Sequence, residues 1–257
     1  MSFGLFFEAH AWVYTASLGL ARVSPVFFML PFLNNNVLTG VVRNSVIVIV
    51  AVSVWPYEVS STELPNTLPA IAVIAQEVII GLILGFLVAW PFWVMHALGN
   101  IVDNQRGATL SSTIDPANGV DTSEMANFLN LFTAVIFLQN GGLQMMVETF
   151  YESYRLCNPT ESCFPSLPPV LSFINTITAQ SFILASPILA VLLLSEVVLG
   201  LLSRFSPQMN AFAISLTIKS GLAVLIMLFY FSPVFPDNIL KLSFTPALLD
   251  TWISDIK

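Results

Sequence analysis

Four charged side chains sit inside apolar runs of this chain: Arg22, Glu77, Glu196 and Lys219. Each would cost about 2.5–3.5 kcal/mol at the centre of a lipid-facing helix, so each should face protein or water. Two chemistries suit such residues. One is an ion or proton pathway. The other is a set of buried pairs that fix register between helices or subunits. These charges are scattered over the chain and do not cluster as Asp/Glu/His relays do, which favours pairing. Their spacing adds to this. Glu77, Gly81, Gly85 and Ala89 recur every fourth residue and share one helix face, as do Ala211, Ser215, Lys219 and Ala223. Glu196, Gly200 and Arg204 form a third such face. A stripe of small residues lets another helix approach closely. A charge within the stripe calls for a polar partner across the contact. Arg22, Glu77, Glu196, Arg204 and Lys219 are therefore candidates for buried charge or subunit packing.

Other chemistries are poorly supplied. His10 and His96 are the only histidines, and neither has a carboxylate or thiol at metal-ligand spacing. They read as packing or interface residues, and no metal site is expected. The zinc-protease, nucleophile-elbow and phosphate-loop motifs are absent. Ser111, Ser112 and Thr113 have no recognisable base. No catalytic residue, no cofactor and no enzyme activity are expected. Cys157 and Cys163 share one polar loop at a spacing unusual for zinc. A short disulfide fits if that loop faces an oxidising compartment; two reduced thiols are the alternative.

The longest polar stretch runs from Asn104 to Asp121, between apolar segments. It is rich in small hydroxyl residues, and Asp115-Pro116 breaks any helix. Gly107 and Gly119 admit unusual backbone angles. An economical connection needs only a few residues. This composition suits a segment that lines or closes a water-filled space; an ordinary long surface loop is the alternative. The pore or plug candidates are Arg106, Gly107, Ser111, Ser112, Asp115, Pro116, Asn118 and Gly119.

The elements that must carry these residues are apolar. Of 257 residues, 56% are hydrophobic and only 9% charged, where a soluble domain carries about 25% charged residues. Mean hydropathy is +0.84. Apolar blocks occupy roughly 11–33, 43–57, 68–102, 126–147, 170–201 and 211–236, with a more polar helical candidate at 238–256. In a bilayer the backbone must satisfy itself, so the blocks should be helices. Alternating barrel strands are not seen. Pro31 and Asn34 to Asn36 end the first block, and Pro56, Pro65 and Pro69 bracket the second connection. Asp121 to Glu124 resembles a capping box with Asp121 as N-cap. Ser206-Pro207 reads as a tight turn between the last two long blocks. The N-terminus lacks a basic region and makes a poor signal peptide, so the first block is expected to stay in the mature chain. A single all-α domain over 1–257 is expected. Eight Lys and Arg against fifteen Asp and Glu give a net charge of −7. That excludes nucleic acid and a polybasic lipid-binding tail as partners.

Three stretches resemble the SctT/FliR family, the export-apparatus proteins of type III secretion systems. The first runs from Trp90-Pro91-Phe92-Trp93 through Gly107 to Gly119 and on to Phe128-Leu129-Asn130. The second is Leu201 to Phe212, with Arg204-Phe205-Ser206-Pro207-Gln208 at its centre, followed by Lys219. The third is Leu20 to Pro25 leading to Leu30-Pro31-Phe32. The likeness covers nearly the whole chain and is greatest to the SpaR-type injectisome branch, which the Cys157 and Cys163 pair also suits. It implies membrane-associated helical hairpins that assemble with related subunits into a helical cone. It implies SctR-type and SctS-type subunits and an SctU-type switch protein as partners, with unfolded secreted virulence proteins as cargo. It implies a bacterial inner-membrane, multi-pass protein that contacts lipid and is displaced toward the periplasm once assembled. It gives the 104–121 loop the role of a plug in the closed portal. A small-solute or ion transporter is the rival, supported by Glu77, Glu196 and Lys219. A transporter usually shows an internal repeat, and this chain has none.

Overall fold

The computed structural model describes residues 2–33, 38–57, 67–108, 123–159, 167–205, 211–243 and Leu249. Among the described residues all regular structure is helical. Helix α1 is Ser2–Met29 and ends before a single 3-10 turn at Pro31–Leu33. Helix α2 is Gly40–Val54 and α3 is Thr67–Arg106. Helix α4 is Glu124–Gln139 and α5 is Gly142–Leu156. Helix α6 is Leu167–Phe205, α7 is Ala211–Phe231 and α8 is Phe235–Leu242.

Among the described residues, three helical stretches are long and apolar enough to cross a membrane: Ala70–Arg106, Leu171–Phe205 and Ile214–Phe231. At 40 and 39 residues, α3 and α6 measure roughly 60 Å each at 1.5 Å per residue. A hydrocarbon core is about 30 Å thick. These two helices are twice as long as a simple crossing needs.

The apolar block at 126–147 is not one helix. Gly141 adopts φ +78° and separates α4 from α5. A left-handed residue cannot continue an α-helix, and glycine takes that conformation at no steric cost. The two pieces differ in kind. α4 is mostly apolar, with one charged residue, Glu124, in its first turn, whereas α5 has Phe150 and Tyr154 on its buried side and Glu152 and Arg155 paired on its outer side. Of the helical candidate at 238–256, residues 238–242 belong to α8 and Leu249 is helical; most of the remainder lies outside the described residues. The turn at Ser206-Pro207 lies outside the described residues.

The chain forms two compact units. The first takes residues 1–90, 138–172 and 243–257; the second takes 91–137 and 173–242. In the first, α1 pairs with α2, and α2 also meets α5. α1 lies against the first half of α3 so closely that a Cβ at Gly81 would run into the Arg22 carbonyl oxygen. A Cβ at Gly85 would stand 2.8 Å from the Met29 sulfur and 3.1 Å from Val26 Cα. In the second unit, Gly99 plays the same part between α3 and α4, where a Cβ would meet the Ala126 backbone. Phe92 of α3 and Phe137 of α4 pack edge to face at 5.5 Å. Phe231 of α7 stacks on Phe128 and Phe132 of α4.

Candidate functional site

The first polar centre is built on Arg22. Its guanidinium reaches Glu77 with two parallel bonds, Nε to Oε2 at 2.6 Å and Nη2 to Oε1 at 2.8 Å. Nη2 also donates to the Cys157 carbonyl at 3.0 Å, and Nη1 to Ser153 Oγ at 3.3 Å. The Tyr154 ring lies beneath, 4.0 Å from Cζ. Arg22 and Glu77 are wholly buried. A planar, five-donor cation is the side chain that can satisfy so many acceptors at once. One residue thus ties α1, α3 and the end of α5 together. Trp55, Tyr57 and Tyr154 close the centre with edge-to-face contacts, and the Tyr57 hydroxyl donates to the Tyr154 carbonyl at 2.9 Å. Burial pushes the Tyr154 phenol well above its ordinary range, partly offset by the Arg22 charge, so it stays neutral. The close approach at Gly81 and Gly85 is what brings Glu77 within reach of Arg22. Cys157 is buried and disulfide-bonded; Cys163 lies outside the described residues.

The second centre holds Asp103, which the sequence reading did not single out. It is 1% exposed. Oδ1 accepts from Arg106 Nε at 2.7 Å, and Oδ2 accepts from Ser123 Oγ at 2.6 Å and Met125 N at 3.0 Å. Its backbone carbonyl accepts from Ala108 N, while Asn104 O accepts from Gly107 N. With Gly107 at φ +80°, these bonds make the helix-ending motif in which a left-handed glycine turns the chain off α3. Ser123 caps α4, accepting from Ala126 N at 3.1 Å. The cap is therefore Ser123, not Asp121 as expected, and the partner that completes it comes from α3. Asp103 gathers the last turn of α3 and the first turn of α4, the two ends of the polar loop. Its sequence signal was weak: an acid three residues before Arg106, at a helix end, resembles a solvated pair. Of the plug candidates, Arg106 and Gly107 lie in this centre. Ser111, Ser112, Asp115, Pro116, Asn118 and Gly119 lie outside the described residues.

The third pair is Lys219 with Glu196, 2.8 Å apart between α7 and α6. The lysine side chain is 9% exposed and the glutamate 55%. Glu196 is thus half open instead of buried. Arg204 departs further from expectation: it is exposed in the last turn of α6. There it complements the carbonyl end of the helix, a position cations favour. Gly200, between the two, has open space where a Cβ would point, so beyond the Glu196 contact with Lys219 the stripe is open at this position. His96 pairs through Nδ1 with Asn130 Nδ2 at 2.9 Å, a link between α3 and α4. Among the described residues no three His, Cys, Asp or Glu side chains gather as a metal site would require.

Residues 13–243 match the family described as bacterial export proteins, family 1. That match runs through all three centres. The chain belongs to this family. Among the family's members, the surface presentation of antigens protein SpaR of Salmonella typhimurium is 61% identical over 252 residues, covering 98% of this chain and 96% of that protein. The Yop proteins translocation protein T of Yersinia pestis is 33% identical over 223 residues, covering 84% and 85%. The flagellar biosynthetic protein FliR of Pectobacterium carotovorum is 26% identical over 237 residues, covering 89% and 87%. In this export-family protein Arg22, Glu77, Asp103 and Lys219 are buried and link helices, while many large apolar side chains are exposed. Leu194, Val197, Phe205, Leu228 and Phe229 are each more than half exposed.

Proposed function

We propose that this chain is the SctT-type subunit of a type III secretion export gate. It joins several copies of SctR-type and SctS-type subunits in a helical cone, the entry portal for unfolded virulence proteins. An SctU-type switch protein packs on that assembly. The portal sits in the bacterial inner membrane, displaced toward the periplasm. The subunit acts by assembly and gating and carries no catalytic chemistry of its own. Residues 107–119 close the resting portal.

The observation that carries this reading is the near full-length likeness to SpaR. The molecule supports it physically. Contiguous apolar surface on the scale of α6 and α7 marks lipid or protein contact. Helices of this length with charge pairs inside them suit a subunit packed among others. The transporter reading loses its footing, because the carboxylates it would use are engaged by Arg22 and Lys219 in separate places.

Co-expression with SctR-type and SctS-type subunits, gentle extraction and native mass spectrometry provide the test. The expected result is one large particle holding a single copy of this chain and several of the others. A stable lone monomer that ignores those subunits would refute the portal role.

A further inference from the structure

The end of α5 is fastened in two ways. Ser153, Tyr154 and Cys157 supply three of the contacts around the Arg22 guanidinium. Cys157 stands just past the helix, in extended geometry with φ −123° and ψ 94°, and its N–H donates to Ser153 O at 3.0 Å. Leaving the helix frees its carbonyl for Arg22 Nη2, 3.0 Å away. The sulfur is the second fastening. Cys157 is disulfide-bonded and 2% exposed. The chain has two cysteines, so the bond runs to Cys163.

A bond that closes so short a loop constrains the unfolded chain less than a long-loop bond does. What it secures is local: the residue whose carbonyl meets Arg22. Helix ends fray, and Arg22 is wholly buried. If the end of α5 came loose, Nη1 and Nη2 would lose Ser153 and Cys157 as acceptors at a buried site, where an unmatched donor is costly. Two conditions govern how the bond is made. Cytosolic thiols are kept reduced, whereas the bacterial periplasm sustains disulfides. Thiol–disulfide exchange also needs a sulfur that a thiolate can reach. Cys157 is buried once α5 has closed on Arg22, so its oxidation precedes that closure.

We propose that the Cys157–Cys163 bond is a periplasmic fastener for the Arg22 centre, installed by a thiol–disulfide oxidoreductase before the portal assembles. One chain thiolate attacks the disulfide of the oxidoreductase and forms a mixed disulfide. The second chain thiolate displaces the oxidoreductase. The cysteine pair gives up two protons and two electrons, and the oxidoreductase leaves as a dithiol. The end of α5 lies on the periplasmic side and holds its carbonyl to Arg22. The link to assembly rests on the portal reading; the bond itself does not.

The experiment uses the full chain co-expressed with the other portal subunits, in cells with and without their periplasmic disulfide-forming enzyme. Acid quenching and a thiol-reactive polyethylene glycol count free thiols by gel shift. The wild-type chain should show none in normal cells and both in cells lacking the enzyme. Co-purified subunits should fall about five-fold or more in those cells, the scale of one buried donor left unmatched. Cystine, a small disulfide added to the medium, restores both readings. Cys157→Ser combined with Cys163→Ser should show the same loss of subunits, with no further loss when the enzyme is absent and no rescue by cystine. That insensitivity separates this bond from disulfides elsewhere in the machine. Two free thiols on the wild-type chain in normal cells overturn the proposal, even if the serine variant fails to fold. So does full oxidation in cells lacking the enzyme, or wild-type assembly by the double serine variant. A wild-type chain that carries the bond yet assembles with no subunit removes the portal reading and leaves the bond standing.

Discussion

Arg22 and Asp103 solve the same problem with opposite charges. Each is buried, and each satisfies donors or acceptors from more than one helix. Removing one member of a buried pair strands the other. Arg22→Met should therefore destabilise the protein by about 3–5 kcal/mol, read as a lower melting temperature in detergent. Arg22→Met combined with Glu77→Leu should recover most of that loss. An equal loss in the double variant would mean that the pair is not the source. Asp103→Asn keeps the shape but loses the charge that three donors share. Hydrogen bonds to charged groups are worth about 1.5–3 kcal/mol, so amide exchange at Met125 and Ala126 should quicken while the rest of α3 stays protected. Unchanged exchange there would dismiss the clasp. The sequence made Glu77 and Lys219 legible because a charge inside an apolar run has no cheap explanation. It hid Asp103 because that residue lies near the end of a run, where a charge normally meets water. It misled at Arg204 for the same reason reversed: four-residue spacing from Glu196 implied a shared buried face, and α6 leaves that face open.

At the scale of the helix, glycines decide which faces meet. Gly81, Gly85 and Gly99 have a neighbouring chain where a Cβ would go, whereas Gly200 has none. Gly99→Leu should push α4 off α3, breaking the Asn130 link to His96 and lowering the yield of folded chain. Gly200→Ala should be tolerated by the isolated chain, with a gain of up to about 1 kcal/mol from helix propensity. If assembly with partner subunits falls while the isolated chain melts no lower, the open stripe is an interface. Wild-type assembly would make it a lipid face. The helices were largely readable in advance because apolar blocks and prolines bound them. The α4–α5 break was not, because Asn140-Gly141-Gly142 interrupts hydropathy only briefly. Gly141's left-handed backbone is a local event that a block average smooths away.

For the whole molecule, the consequence of the proposed portal is a conductance. Deleting several residues within 107–119 should leave the assembled gate leaky to small ions, measured as current or dye flux through membranes containing the complex. An unchanged leak would assign the closure to another segment.

The Arg22 centre also constrains how the protein can be made. Its carboxylate partner lies 55 residues downstream and its carbonyl partner at Cys157 lies 135 residues downstream. At about 5–20 residues per second of synthesis, Arg22 leaves the ribosome roughly 3–11 s before Glu77 and 7–27 s before Cys157. During that interval the first helix carries a guanidinium without the partners it has in the folded chain. The nascent chain must keep α1 near water, or in the care of an insertion factor, until α3 arrives. A ribosome stalled before residue 77 should therefore present α1 as an alkali-extractable segment, and one stalled beyond α3 as an integral one.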